Sequence, residues 1–185
     1  MLKLGVLGSG KGSNFRAIAD AIARGELDAE VRIVISDVAS AGILELARAR
    51  GLRAEFVEPG RFKTKLEPEA ELCVVEFLQN AGVEWVVLAG YMRMIKPPLL
   101  AAFPRRIINI HPSLLPAFPG LEAWRQALAA GLGETGCTVQ PVSGTPAASA
   151  CFHASRPGKA GRSEGWMLMM RRGKASSSGG LIIRI

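Results

Sequence analysis

The sequence of 185 residues has few of the features that define several protein classes. Its three cysteines, Cys73, Cys137 and Cys151, lie far apart and form no CxxC or cysteine–histidine spacing, so we expect neither a disulfide framework nor a metal site. No apolar run approaches the roughly 18 residues of a membrane span, and the opening MLKLGVLGSG is typical of a buried strand entering a glycine turn rather than of a signal peptide. These absences predict a soluble, cytoplasmic protein without a membrane partner.

Acidic residues are scarce near the end of the chain. Residues 141–185 hold seven of the 23 lysines and arginines but only one of the 16 acids, Glu164, so they account for +6 of the net charge of +7. A basic terminal segment without interleaved aromatic residues does not form the pattern of a nucleic-acid-binding groove. We therefore expect no nucleic-acid partner.

The first 142 residues alternate apolar strands with amphipathic helices, and their length suits one hydrophobic core. Predicted strands cover residues 2–8, 30–36, 53–58, 85–90, 105–111 and 136–142, and predicted helices cover 14–24, 40–50, 68–82 and 121–131. This order is typical of an α/β fold with a doubly wound, mostly parallel, Rossmann-like sheet and helices on both faces. Such sheets bind ligands at the carboxyl ends of their strands.

Beyond Val142 the composition shifts to Gly, Ser, Ala, Pro and Arg without a sustained period. We expect residues 143–185 to be irregular or poorly ordered, although the apolar runs 166–170 and 181–185 could each form a short strand. The predicted organisation is therefore one α/β domain over 1–142, followed by an atypical basic segment over 143–185.

The stretch GSGKGSN, residues 8–14, lies between the first predicted strand and the first predicted helix. Glycines there allow a close backbone approach to an anion, and the N–H groups at the helix start, with the Ser13 hydroxyl, could bind a phosphate. The spacing matches neither the lysine-terminated phosphate loop nor the full dinucleotide fingerprint. A tight turn without a ligand is the alternative interpretation.

Asn109 and His111 alternate on the predicted strand 105–111, so both side chains should project from one face near its carboxyl end. Pro112, Pro116 and Pro119 stiffen the loop that follows. An amide donor beside an imidazole suits the stabilisation of an oxyanion. The alternative is an ordinary hydrogen-bonded histidine of the core or surface.

Four segments carry a resemblance to a known family: GSGKGSNF, VVLAGYMRMI (86–95), INIHPSLLPAFPG (108–120) and TGCTV (135–139). Together, and in this order, they resemble the folate-dependent formyltransferases. The motif NIHPSLLP is shared with methionyl-tRNA formyltransferase and formyltetrahydrofolate hydrolase, whereas GSGKGSN and AFPG favour the glycinamide ribonucleotide formyltransferases of purine biosynthesis. The resemblance covers residues 1 to about 142.

The resemblance implies a role for each matching residue. The substrate's phosphate would be held by Gly12, Ser13 and Asn14, with Lys65 or Lys63 as an added cation, unless these lysines are merely solvated loop residues. The folate pocket would be lined by Met92, Arg93, Met94 and Ile95, for which core filling is the alternative. Asn109 and His111 match the catalytic pair.

The implied reaction uses two small-molecule substrates. The amine of glycinamide ribonucleotide attacks the formyl carbon of 10-formyltetrahydrofolate, the co-substrate, and no metal takes part. The protein would act as a monomer or a homodimer. Alternatives are an inactive remnant that still binds the ribonucleotide, or another formyltransferase or hydrolase that uses formyltetrahydrofolate.

The sequence departs from this family after Val139. Members of the family continue to an Asp-x-Gly-Pro loop whose aspartate pairs with the catalytic histidine, whereas no aspartate follows Asp37 here. The departure predicts impaired activity, because that carboxylate assists proton transfer. We hypothesise that a reading-frame shift or a comparable alteration produced residues 143–185. A genuine tail that supplies a different carboxylate is the rival hypothesis.

Overall fold

The computed structural model describes residues 1–111, 125–126, 129–130, 137–142 and 152–154. The strands in this part of the chain are β1 (Leu2–Leu7), β2 (Ala29–Ser36), β3 (Ala54–Phe56), β4 (Trp85–Leu88), β5 (Ile107–His111), β6 (Cys137–Pro141) and β7 (Phe152–Ala154). The helices are α1 (Ser13–Ala23), α2 (Gly42–Ala49), α3 (Pro68–Asn80) and α4 (Pro97–Ala102). Arg125, Gln126 and Ala129, inside the predicted helix 121–131, are also helical, and the rest of that helix lies outside the described residues.

All these strands form one sheet in the order β3-β2-β1-β4-β5-β6-β7. Strands β1 to β5 pair in parallel, β6 pairs antiparallel with β5, and β7 pairs antiparallel with β6. The predicted mostly parallel, Rossmann-like sheet is thus confirmed. Strand order reverses at β1, which pairs with both β2 and β4, and this switch point is where a doubly wound sheet opens a crevice for ligands.

Two apolar cores lie on the two faces of the sheet. Phe15 and Ile18 of α1 pack with Leu44 of α2 on one face, and Leu78 of α3 packs with Leu99 of α4 on the other. We call these the α1/α2 face and the α3/α4 face. Helices on both faces confirm the doubly wound prediction, and the apolar central strands explain it because β1 and β4 are buried from both sides.

Gly5 shows how closely the α3/α4 face is packed. A Cβ atom at this position would run into Leu78 Cδ2 and would lie 3.1 Å from the Cγ atoms of Val83. Leu78 itself is fully buried. A glycine in the middle of β1 therefore lets α3 approach the sheet more closely than any side chain there would allow.

The structure departs from the sequence predictions at two elements. Helix α4 is absent from those predictions, because Pro97 and Pro98 look like a helix breaker, yet proline is favourable in the first turn of a helix. Strand β7 lies in the segment predicted to be irregular, which is wrong for these three residues because they pair with β6, Val139 opposite Phe152. Residues 143–151 and 155–185, with the runs 166–170 and 181–185, lie outside the described residues.

Candidate functional site

The glycine turn, residues 8–12, joins β1 to α1 at the switch point of the sheet. Gly12 precedes α1 with φ of 81°, and a Cβ atom there would lie 2.8 Å from Ile43 Cα, so both its conformation and its packing require glycine. Ser13 and Asn14 begin α1, and no side chain caps the helix. The first N–H groups of a helix have no partner within it, so α1 presents donors and a positive dipole end at this turn.

Asn109 and His111 lie at the carboxyl end of β5, two strands away from β1. Ile108 and Ile110, which flank Asn109, belong to the core of the α1/α2 face, so Asn109 and His111 project toward the α3/α4 face, as alternation along the strand predicts. Both residues are half-buried. In the ladders, Asn109 lies opposite Leu88 of β4, and His111 lies opposite Thr138 of β6. The loop with Pro112, Pro116 and Pro119 lies outside the described residues.

The wall segment, residues 91–95, follows β4 and crosses the same end of the sheet. Ser9 of the glycine turn donates its backbone N–H to Gly90 O at 3.0 Å, and its Oγ accepts the N–H of Met92 at 2.9 Å. The side chains of Met92 and Met94 are 60% and 65% exposed, which rules out core filling for these two residues. Ile95 packs against the core of the α3/α4 face.

A buried ion pair between Arg93 and Asp37 anchors the wall segment to the protein interior. Arg93 Nε donates to Asp37 Oδ2 at 2.6 Å, and the guanidinium also donates to Phe62 O. Ser9 Oγ donates to the other carboxylate oxygen, Asp37 Oδ1, at 2.5 Å. Arg93, predicted to line a folate pocket, therefore directs its charge into the protein, and the wall presents its backbone and its two exposed methionines.

Lys65 lies beside the wall segment. It forms a parallel bridge with Met94, whose N–H donates to Thr64 O at 2.8 Å, and its ammonium lies 4.2 Å from the centre of the Phe62 ring. The structure thus pairs Lys65 with Met94, whereas the resemblance in the sequence associates it with the substrate's phosphate. Sequence spacing gives no sign of this pairing, because residues 65 and 94 belong to different loops.

Sequence reasoning missed three ionisable groups in or beside the wall segment, namely Asp37, Glu71 and Tyr91. Glu71 of α3 is buried and accepts the backbone N–H of Lys96 at 2.9 Å, and burial raises the pKa of its carboxyl. Desolvation, with Asp37 and Glu71 nearby, raises the pKa of the Tyr91 phenol well above its ordinary range, so it stays protonated. An acid at the end of a strand, as Asp37 is after β2, is the available sequence signal.

Within the described residues, no group of three or more His, Cys, Asp or Glu side chains is arranged to hold a metal ion. None of the helices in these residues has the length and apolarity needed to cross a membrane.

Comparison with known proteins finds relatives that cover most of the chain. Residues 2–145 match the model of the formyl transferase family. The chain belongs to the formyl transferase family. Among curated members, phosphoribosylglycinamide formyltransferase of Bacillus subtilis is 42% identical over 142 residues, which cover 77% of this chain and 72% of that protein. The trifunctional purine biosynthetic protein adenosine-3 of Drosophila pseudoobscura is 43% identical over 143 residues, but these cover only 10% of that longer protein.

Solved structures of the formyl transferase family share the fold. The crystal structure of glycinamide ribonucleotide transformylase 1 from Geobacillus kaustophilus is similar with a TM-score of 0.74 and 41% identity, over 88% of this chain and 86% of that one. Family membership agrees with the resemblance in the sequence and assigns the chain to a family of enzymes. In the described residues, the glycine turn, the wall segment, and Asn109 and His111 of β5 all lie at the carboxyl ends of the parallel strands.

Proposed function

We propose that the chain transfers a formyl group from 10-formyltetrahydrofolate to the amine of glycinamide ribonucleotide, a step of purine biosynthesis. The observation that carries this proposal is the placement of Asn109 and His111 on one face at the tip of β5, at the same end of the sheet as the glycine turn. The family match and the names of the similar proteins support it.

The ribonucleotide phosphate would bind at the glycine turn. Gly12, Ser13 and Asn14 form the start of α1, where backbone N–H groups and the helix dipole favour an anion. β4 separates β1 from β5, so the turn and the catalytic pair lie two strand spacings apart, about 10 Å across the sheet. That separation suits a substrate that carries its phosphate and its amine on opposite sides of a ribose. Lys65 as an added cation for the phosphate stays a prediction.

The folate would lie along the wall segment. The exposed side chains of Met92 and Met94 offer a polarisable apolar surface to a flat fused ring, and Ile95 continues that surface into the core of the α3/α4 face. Arg93 would contribute its backbone, because its guanidinium is engaged by Asp37. The formyl group carried by the folate could then reach β5, the next strand after β4 in the sheet.

Positioning and charge stabilisation would supply the catalysis. The amine attacks the formyl carbon, a tetrahedral intermediate with a negative oxygen forms, and its collapse breaks the bond to the folate nitrogen, which takes up the proton lost by the amine. Asn109 would donate its side-chain NH₂ to that oxygen, and His111 would donate a hydrogen bond and move the proton. One well-placed donor of this kind contributes about 10²–10³ in rate.

A second candidate function is binding of the ribonucleotide without turnover. It is favoured by one observation of the sequence, the lack of any aspartate after Asp37, where the family resemblance implies a carboxylate that assists proton transfer. The glycine turn is complete in this chain, so phosphate binding would survive that loss. Another formyltetrahydrofolate-dependent transferase or a hydrolase is the remaining alternative.

Two measurements on the full chain separate these functions. The first is the rate of formyl transfer from 10-formyltetrahydrofolate to glycinamide ribonucleotide, for the wild type, Asn109→Ala and Asn80→Ala, an exposed asparagine at the end of α3. The second is calorimetric binding of the ribonucleotide. We expect transfer that falls about 10²–10³-fold in Asn109→Ala and stays unchanged in Asn80→Ala. Binding without transfer would select the second function, and neither binding nor transfer would refute both.

A further inference from the structure

Asp37 connects the glycine turn to the wall segment of the candidate site. We propose that it is a positioning residue, which holds the wall segment at the glycine turn and so sets the affinity for the folate. This inference rests on the proposed function, since it concerns the same co-substrate. It assigns to Asp37 and Ser9 a role that no sequence motif indicated.

The geometry gives each carboxylate oxygen of Asp37 its own partner. Oδ1 accepts the Ser9 hydroxyl at 2.5 Å, and Oδ2 accepts Arg93 Nε at 2.6 Å. Ser9 Oγ in turn accepts the N–H of Met92 at 2.9 Å. One carboxylate therefore reaches the wall segment twice, through the side chain of Arg93 and through the backbone of Met92.

Burial makes this network strong. Asp37 is 4% exposed, and in the ion pair the Arg93 side chain is only 12% exposed. Water competes poorly for such groups, and hydrogen bonds to a charged acceptor are among the stronger ones in proteins. A buried charge without its partner is costly, so movement of the wall segment away from this position would leave the Asp37 carboxylate buried and unpaired.

The glycine turn has backbone supports that do not involve Asp37, whereas the Asp37 carboxylate reaches the wall segment at both Arg93 and Met92. The backbone N–H of Gly8 donates to Ile35 O at 3.1 Å, and Gly10 O accepts the N–H of Ile43 at 3.1 Å, neither of which involves Asp37. Loss of the carboxylate should therefore leave the glycine turn, where the phosphate would bind, in place and loosen the wall segment, where the folate would bind. A split between the two ligand affinities distinguishes positioning from general destabilisation.

Asp37→Asn is the sharpest substitution. It keeps the volume of the side chain but removes the charge and replaces one acceptor oxygen with an NH₂ donor, so Ser9 and Arg93 can no longer each donate to an oxygen of their own. Asp20→Asn is the matched control, because Asp20 of α1 also pairs with an arginine, Arg50, but at an exposed position. Ser9→Ala removes only the hydroxyl branch.

Calorimetric dissociation constants for glycinamide ribonucleotide and for the stable folate 5-formyltetrahydrofolate test the proposal. We expect Asp37→Asn to weaken folate binding about tenfold and ribonucleotide binding less than twofold, with Asp20→Asn like the wild type. Ser9→Ala should weaken folate binding in the same direction, and Ser9→Ala/Asp37→Asn should be no weaker than Asp37→Asn, since both act through one network. Unchanged folate affinity in Asp37→Asn, or equal losses for both ligands, would overturn the proposal.

Hydrogen exchange of the free protein gives a readout that needs no ligand. The backbone amides of Met92 and Met94 should exchange about tenfold faster in Asp37→Asn than in the wild type or Asp20→Asn. Unchanged protection there would refute the positioning role. If the wild type binds neither ligand, the proposed function fails while this exchange result still decides the role of Asp37. If Asp37→Asn does not fold, Ser9→Ala carries the same expectation at Met92.

Discussion

Glu71 Oε1 accepts the backbone N–H of Lys96 at 2.9 Å, and the backbone N–H groups of Lys96 and Leu99 both favour the charged form of this carboxyl, which lowers its pKa against the larger effect of burial. A side chain of α3 thereby caps the start of α4, immediately after the wall segment. Because α4 opens with two prolines and no local side chain caps it, this distant carboxylate takes the place of an N-cap residue. The end of the wall segment is therefore fixed by Glu71, as its middle is fixed by Asp37.

The pH dependence of stability should report on Glu71. Burial raises the pKa of this carboxyl above its ordinary 4.5, so between the unfolded and folded pKa values the folded protein binds more protons than the unfolded chain. The free energy of unfolding should consequently fall as pH rises through that window. Urea titrations at several pH values should show this fall in the wild type and not in Glu71→Gln. Glu76→Gln, which alters an exposed neighbour on α3, should behave like the wild type. If stability falls with pH in Glu71→Gln as steeply as in the wild type, Glu71 is not the group responsible.

Gly12→Ala tests whether the glycine turn needs both its conformation and its space. Gly25 is the matched control, because its φ of 71° is also positive but a Cβ atom there would have no neighbour within 4 Å. We expect Gly25→Ala to lower the free energy of unfolding by about 1–2 kcal/mol from backbone strain alone. Gly12→Ala should cost more, because its Cβ would also meet Ile43, and it should weaken ribonucleotide binding. Equal losses in the two variants would show that Ile43 yields.

The contact between Gly5 and Leu78 predicts a compensating pair of substitutions. Leu78→Ala should lower the free energy of unfolding by about 2–5 kcal/mol because it empties a buried site, and Gly5→Ala by about 1–3 kcal/mol because it overfills the same site. In the double variant the new methyl group occupies space that Leu78 vacated. Its loss of stability, measured by denaturant titration, should therefore be smaller than the sum of the single losses by about 1 kcal/mol. Strict additivity would mean that the two positions do not share this space.

Met92 and Met94 should matter for the folate and not for the fold. Both side chains are more than half exposed, so Met92→Ala and Met94→Ala should change the free energy of unfolding by less than about 0.5 kcal/mol. Each should raise the dissociation constant for 5-formyltetrahydrofolate. Leu72→Ala, which alters a similarly exposed apolar residue of α3, is the control and should leave folate binding unchanged. Loss of stability with intact folate binding would assign the methionines to packing instead.

Local patterns predict most of the sheet. Strand β4 is a continuous apolar run, which predicts burial from both faces, and the alternation around Asn109 correctly predicts that His111 shares its face. Boundaries differ by at most two residues; β5, for example, begins at Ile107, after Arg105 adopts φ of 57°. These elements depend on periodicity within a few residues, which a sequence displays directly.

Contacts between distant loops are beyond the reach of those patterns. Asp37 and Arg93 are 56 positions apart, and each follows a different strand, so no spacing rule joins them. The bridge of Lys65 to Met94 is hidden for the same reason, because it forms between two loops. Helix α4 is hard to predict from the sequence because it begins with Pro97, and the side chain that caps it, Glu71, belongs to another helix. Pairings of this kind are settled by tertiary packing.

Within the described residues, the sheet finishes on both sides in a very short strand, β3 with three residues and β7 with three. A strand of another molecule could gain only a few backbone hydrogen bonds by adding on to either one. Fibre-like growth by strand addition is thereby discouraged at both margins.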